Sequence, residues 1–433
     1  MRGSDRQRVR GQFIARLHEA ILVRAKAEKS AFAESFDLFL TRRFGTFTAA
    51  SLLSNLGTWA QQVAEPWLLL GLGASPFLIG LDSFAMAAPV WALTVLGGIL
   101  ADRTDRRRLI AACQTVQMLC PACLVVLIMT GAVQPWMVIG LSVVVGVTDA
   151  LSMPAFQTIV PSIVEPRQIP TALALNATQF NLSRIIGPAI AGILMATLGA
   201  VGCFELNTAS YLPFIWVALW ILPRGPRPKP RDEVPDERLF AGIREVTQSP
   251  YLRGALATVL LTGVFCGPLI VFCPVLVKAA LHGDASDFSI AIGAFGVGGL
   301  CGAIALLGIP TDRDRRRMTT YLAIGYGALV VMASLVPWLS GLPVLLALAG
   351  MAMTISNTSA NTLLQSATPP ELRGQTVSLY MLAIRGGASF GALITGATVG
   401  LFGVREALLV NGILAIAAQV ALAAHWFRAP SVR

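Results

Sequence analysis

Twelve continuous apolar stretches, most of them of 20 residues or more, recur along the chain and decide most of what it can become. They lie near 44–72, 77–100, 109–130, 135–155, 171–198 and 203–222, then near 252–279, 287–308, 318–339, 343–366, 375–400 and 405–427. A helix of about 20 apolar residues crosses a hydrocarbon core of roughly 30 Å. Strands of a membrane barrel alternate apolar and polar over about ten residues, whereas these runs are unbroken, so the pattern predicts helices. Of 433 residues, 55% are hydrophobic and only 13% charged, about half the charge of a soluble domain. A soluble enzyme could not keep that much apolar surface from water.

The basic residues set the orientation. Lys and Arg exceed Asp and Glu by 10, which in a soluble chain would point to nucleic acid. Here 29 of the 33 basic residues fall on one side of the predicted spans, with only Lys278 and Arg405 opposite. That asymmetry puts both termini and the central loop in the cytoplasm and removes the reason for a nucleic-acid partner. The expected organisation is a basic tail (1–43), a six-helix bundle (44–222), a linker (223–251), a second six-helix bundle (252–427) and a short tail (428–433). The tail has no apolar core followed by a small-residue cleavage site, so no secretory signal is expected. Residues 12–40 either form a basic amphipathic helix on the membrane surface or a solvated tail. The Pro-rich run 223–235 reads as a linker, with a short surface helix expected at 237–248.

Other chemistries find no support. The seven cysteines all lie within spans, where they behave as small apolar residues. Cys120 and Cys123 have CxxC spacing but no βαβ setting for redox work. The three histidines are scattered without metal-ligand spacing, and no phosphate-binding GxxxxGK[ST] loop is present. No metal or cofactor is expected, and a primary pump driven by ATP hydrolysis is disfavoured.

The two halves repeat each other. Gly98-Ile-Leu-Ala-Asp102-Arg103-Thr-Asp105-Arg106-Arg107-Arg108 follows span two, and Gly308-Ile-Pro-Thr-Asp312-Arg313-Asp314-Arg315-Arg316-Arg317 follows span eight. Arg184 in span five matches Arg385 in span eleven, each followed by a glycine-rich stretch. Asp149 to Gln157 pairs with Asn357 to Gln365 at the ends of spans four and ten. Two such halves point to alternating access around a site near the midplane.

At these residues the chain resembles the major facilitator superfamily. Gly98 to Arg108 looks like the family's signature between spans two and three, with Asp105 where glycine is usual, a change expected only to weaken the turn. Asn176 to Pro188, Pro154-Ala-Phe-Gln157, Glu371-Leu-Arg373-Gly374 and Ser378-Leu-Tyr380 are similar to the branch containing macrolide-efflux proteins and enterobactin exporters. The resemblance implies an all-α membrane protein of two pseudo-symmetric bundles and proton-driven export of a small, often amphipathic molecule.

Charges inside a bilayer are costly and are functional candidates by default. Arg184 either holds an anionic substrate group, answers a protonatable acid, or clamps backbone carbonyls; Arg385 has the same alternatives. Glu65, beside Pro66 in the outer half of span one, is a candidate proton carrier or a hydrogen-bonded structural acid. Asp149, near the inner end of span four, is a second proton-coupling candidate or the partner of Arg103 or Arg106, the latter being favoured. Asp82 and Glu205 are expected as wetted surface charges. Asp102, with Gly98, Arg103, Arg106 and Arg107, reads as a cytoplasmic gate whose partner, by resemblance, is span eleven near Thr376. Gly187, Pro188 and Gly192 resemble an antiporter motif, while Gly298, Gly302, Gly387 and Gly391 are packing positions. Asn55, Trp59, Gln62, Trp67, Asn176, Gln179, Phe180 and Asn181 are candidate cavity-lining residues.

The expectation is therefore a monomeric, multi-pass transporter of a bacterial inner membrane, exchanging a small molecule for protons. The alternatives are export of a siderophore, flipping of a lysophospholipid, or a non-transporting receptor or scaffold.

Overall fold

The computed structural model describes residues 37–222, 241–307, 315–369 and 372–428. The expected surface helix before residue 37, the Pro-rich linker, the turn at 308–314, Glu371 and the last five residues lie outside the described residues. Every regular element among the described residues is helical. The first half holds α1 (Arg42–Gly71), α2 (Pro76–Arg103), α3 (Arg106–Met129) and α4 (Pro135–Ser162), followed by a helical stretch Ile169–Trp220. After the short helix Ala241–Gln248 come α7 (Pro250–Cys266), α8 (Ala285–Leu307), α9 (Arg315–Leu335), α10 (Leu342–Ala367), α11 (Arg373–Phe402) and α12 (Val404–Trp426).

The stretch Ile169–Trp220 has 52 residues, about 78 Å if straight, far more than one crossing needs. Gly199 breaks it, with φ 67° and ψ −165°, a conformation essentially restricted to glycine. Beyond it the chain folds back, so that the Cys203 thiol meets the Ala191 carbonyl at 3.9 Å. The arms are labelled α5 (169–198) and α6 (200–220). Ten helical segments among the described residues are long and apolar enough to cross a membrane, this 50-residue Thr171–Trp220 segment counting as one. α1 is 30 residues long but more polar and lies outside that set.

Local chemistry sets the helix ends. Pro76, Pro135 and Pro250 open α2, α4 and α7, where a missing N–H costs nothing. Ser75 and Ser249 cap two of these starts, accepting from the Leu78 and Leu252 amides. Asp105 caps α3 through the Arg107 amide at 3.1 Å. The departure from the family pattern therefore supplies a helix start of its own, more than a weakened turn. α7 is less regular than the expected 252–279 span. Pro268 and Pro274 cut its continuation into short pieces ending in a π-helical turn, Leu276–Ala280. Arg405 then binds the carbonyls of Ala280, Ser334 and Val336 at 2.9–3.3 Å, satisfying helix ends that have no further donors.

Burial is unequal at the two ends of the molecule. At the end away from the termini, one continuous apolar core joins both halves, including Ala60, Leu69, Ile79 and Met195 with Phe272, Phe288, Ile292 and Ala392. At the basic end there are two cores. Phe44, Phe47, Ile110, Ile159 and Phe214 close the first half, and Leu252, Val259, Leu364, Tyr380 and Trp426 close the second. Large apolar side chains elsewhere face outward, with Trp136, Trp220 and Trp338 exposed at helix ends, as in the aromatic belts of membrane proteins.

Candidate functional site

Halfway along the bundle, a charge on each half meets its opposite. Asp149 Oδ2 on α4 lies 3.4 Å from Arg385 Nη1 on α11, both side chains a little over a third exposed. The sequence favoured a cytoplasmic cluster of Asp149 with Arg103 or Arg106, and this placement corrects it. α4 runs to Ser162, seven residues past the expected end, so Asp149 falls at the middle of its helix. Asp149 Oδ1 accepts from Gln117 at 2.8 Å, Gln117 from Gln114 at 2.8 Å, and Gln114 from Ser54 at 3.4 Å. A buried polar chain thus links α1, α3 and α4 to α11. Gln114 and Gln117 were not singled out in the sequence; two glutamines three apart within a span were the available signal.

Arg385 also lies over the Phe180 ring, 5.9 Å from its centroid, and Phe180 meets Trp59 edge-on at 6.1 Å. Phe180, Arg184 and Gly187 are spaced i, i+4, i+7 and share one face of α5. Gly187 is needed there, because a Cβ would overlap the Trp59 side chain. The Arg184 guanidinium approaches the Tyr380 hydroxyl on α11, which donates to the Asn357 carbonyl on α10 at 3.0 Å. Arg184 Nε and Nη2 are both buried and have no hydrogen-bond partner. Arg184 is therefore not held as a full clamp on backbone carbonyls.

The other cavity candidates divide. Asn55, Gln62 and Asn176 are half-buried, Gln62 directing its amide at the Met86 sulfur at 3.7 Å. Gln179 is buried and bonded to Ser183 on its own helix at 3.1 Å. The Asn181 side chain lies outside the described residues. Trp67 is a correction: it stacks on Phe288 of the other half at 4.9 Å and 14°, sealing the shared-core end and not lining a mid-height wall.

Glu65 and Asp82 meet on opposite sides of Ser142. The Ser142 hydroxyl is 2.7 Å from Asp82 Oδ1, 3.1 Å from Glu65 Oε1 and 3.2 Å from the Val138 carbonyl. Gln61 lies within reach of Glu65, and Cys120 on α3 faces it. Glu65 is 2% exposed and Asp82 4%, which corrects the expectation that Asp82 is wetted; Glu205 is exposed as expected. Distance from a span end gave the depth of Asp82 but not its direction, and Ser142 carried no signal. A hydroxyl donates one hydrogen bond at a time. Two carboxyls around it are both bonded when they hold one proton between them, one donating to Ser142 and the other accepting from it.

Around the gate motif, Arg103 is exposed, Arg106 Nε reaches the Ala101 carbonyl at 3.4 Å, and Arg107 binds the Leu219 carbonyl at 2.9 Å. The Asp102 side chain lies outside the described residues. Gly98 faces open space, while its neighbour Gly97 packs on the Ala150 backbone of α4. Pro188 is buried within α5. Gly192 brings α5 against α8, where a Cβ would lie 2.7 Å from the Ser289 carbonyl. Gly298 and Gly302 pack on α10, and Gly387 and Gly391 on α7, close helix contacts within one half.

Two helical halves, part-buried charges at their junction and a core shared at one end only define a membrane transporter of the major facilitator type. The model of the transmembrane secretion effector family matches residues 33–432, and the chain belongs to that family. It is 25% identical over 357 residues to the multidrug efflux pump Tap of Mycolicibacterium fortuitum, covering 80% of this chain and 87% of that one. It is 28% identical over 350 residues to the enterobactin exporter EntS of Shigella boydii serotype 4, covering 77% and 80%. Its fold matches a bacterial homologue of the human lysosomal transporter Spinster in an inward-facing, unoccupied conformation, with a TM-score of 0.64, 16% identity and coverage of 91% and 99%. The protein is a multi-pass membrane exporter and not an enzyme.

Proposed function

We propose that the chain exports a small amphipathic molecule in exchange for protons, by alternating access. In this reading twelve spans cross a bacterial inner membrane and the basic end faces the cytoplasm, as charge asymmetry favours. The observation that carries it is the asymmetric core: the halves are joined at the far end and separately closed at the basic end. Such a molecule is open toward the cytoplasm, where an exporter loads. The Asp149–Arg385 pair bridges the halves at mid-height, where a moving substrate would pass. Glu65 and Asp82 around Ser142 supply a place for the coupling proton at the far end, and Asp149 is a second candidate.

Everted vesicles carrying a pH-sensitive dye test this. Adding a transported compound releases protons from the lumen in vesicles with the wild-type chain and not with Glu65→Gln. Export that proceeds without proton movement overturns the coupling. A second reading, export of an anionic siderophore, is favoured by the unpartnered Arg184 edge and by the relationship to an enterobactin exporter.

A further inference from the structure

We infer that Arg184 is the seat for an oxyanion carried by the exported molecule, and that this molecule is an organic anion with an aromatic or apolar body. The inference rests on the exporter reading and specifies its substrate class. Nε and Nη2 form the side edge of a guanidinium, where two N–H groups point in parallel and match the two oxygens of a carboxylate or catecholate. In Arg184 these two nitrogens lack an acceptor and are shut off from water. Leaving buried charged donors unsatisfied is costly; Arg184 as a whole is part-exposed, so an oxyanion that reaches this edge by displacing its neighbours gains what the protein itself withholds.

Three further observations fit the same ligand. First, the mid-height charges among the described residues do not balance: Arg184 and Arg385 meet groups of the opposite half, while Asp149 pairs with Arg385. An anion on Arg184 would neutralise the remainder. Second, the wall beside Arg184 is aromatic. Phe180 is one turn away on the same face, edge-on to Trp59, which packs directly on Gly187. Third, the seat draws on both halves: Arg184 comes from α5, and the Tyr380 hydroxyl beside it from α11. A ligand there would sense their relative movement. Arg184 lies 15 residues into its helix, about 22 Å from the basic end, beyond the reach of headgroups that stay at the membrane surface.

The test uses the purified full chain in nanodiscs and equilibrium dialysis with two labelled probes, salicylate as an aryl carboxylate and tetraphenylphosphonium as an aryl cation. The wild-type chain should bind salicylate in preference to the cation, an outcome that needs no variant. Arg184→Lys keeps the charge but loses the parallel edge and should weaken salicylate binding at least tenfold; Tyr380→Phe should weaken it a few-fold. Circular dichroism and gel filtration establish that each variant is folded. Salicylate bound equally well by Arg184→Lys and Arg184→Gln, or a wild-type chain that binds only the cation or neither probe, would overturn the seat. A chain that exports a cation against protons yet ignores salicylate removes this inference and leaves the exporter reading intact. Salicylate held through Arg184 without proton movement keeps the seat and removes the proton coupling.

Discussion

Asp149 and Arg385 sit at the midpoints of helices in opposite halves and pair at 3.4 Å. Each is over a third exposed, so the pair adds about 1 kcal/mol or less to stability. In the proposed alternating-access cycle its weight lies in connecting two bodies that move. Arg385→Gln should leave the thermal midpoint of the purified protein nearly unchanged and slow export at least tenfold. Exchanging the two charges, Asp149→Arg with Arg385→Asp, should restore part of the rate. Vesicle transport and thermal unfolding on the same preparations separate the two effects.

The Glu65–Ser142–Asp82 group makes a sharper prediction about protons. Ser142→Ala removes the hydroxyl that joins the carboxyls and should uncouple export from proton release. Asp82→Asn should do the same, although its position alone gave no hint of a role. Substrate exchange without a gradient should survive in both variants. Loss of exchange together with coupling would mark the group as structural.

Trp67 and Phe288 stack across the halves at the far end, and in the proposed cycle that stack is part of the gate that holds this end shut. Such a pair contributes about 0.5–1.5 kcal/mol beyond its buried area. Trp67→Ala should therefore favour opening at that end, and the fully buried Cys273 of the shared core reports it. Maleimide labelling of Cys273 should rise several-fold in the variant. An unchanged labelling rate would remove the stack from the gate.

Gly199 is replaceable in space but not in conformation. No atom lies within 4 Å of where its Cβ would be, yet its φ is +67°. Gly199→Ala should lower unfolding stability by about 1–3 kcal/mol, read as a lower thermal midpoint, with a normal transport rate per folded molecule. A midpoint equal to wild type would show that the hairpin tolerates another turn.

The fold was legible because apolar run length measures a bilayer, and most helix ends fell within a few residues of those expected. Arg184, Arg385 and Glu65 were legible for a related reason, since an intramembrane charge is conspicuous against its background. What stayed hidden depends on helix rotation and helix length. Asp82 turns inward to Ser142, Trp67 turns toward the other half, and seven extra residues of α4 carry Asp149 from one end to the middle. None of these follows from a single strand of sequence, because each is fixed by the face that a neighbouring helix offers.

The unequal cores carry a thermal consequence. In the proposed cycle, passing to the opposite state means parting the core that joins the halves and bringing together two that are now separate, so the two states wet different apolar surfaces. Hydration of apolar surface carries a heat-capacity change. Unless the two areas happen to match, the balance between the states bends with temperature, and the rate of export should depart from a straight Arrhenius line even with lipid and substrate unchanged.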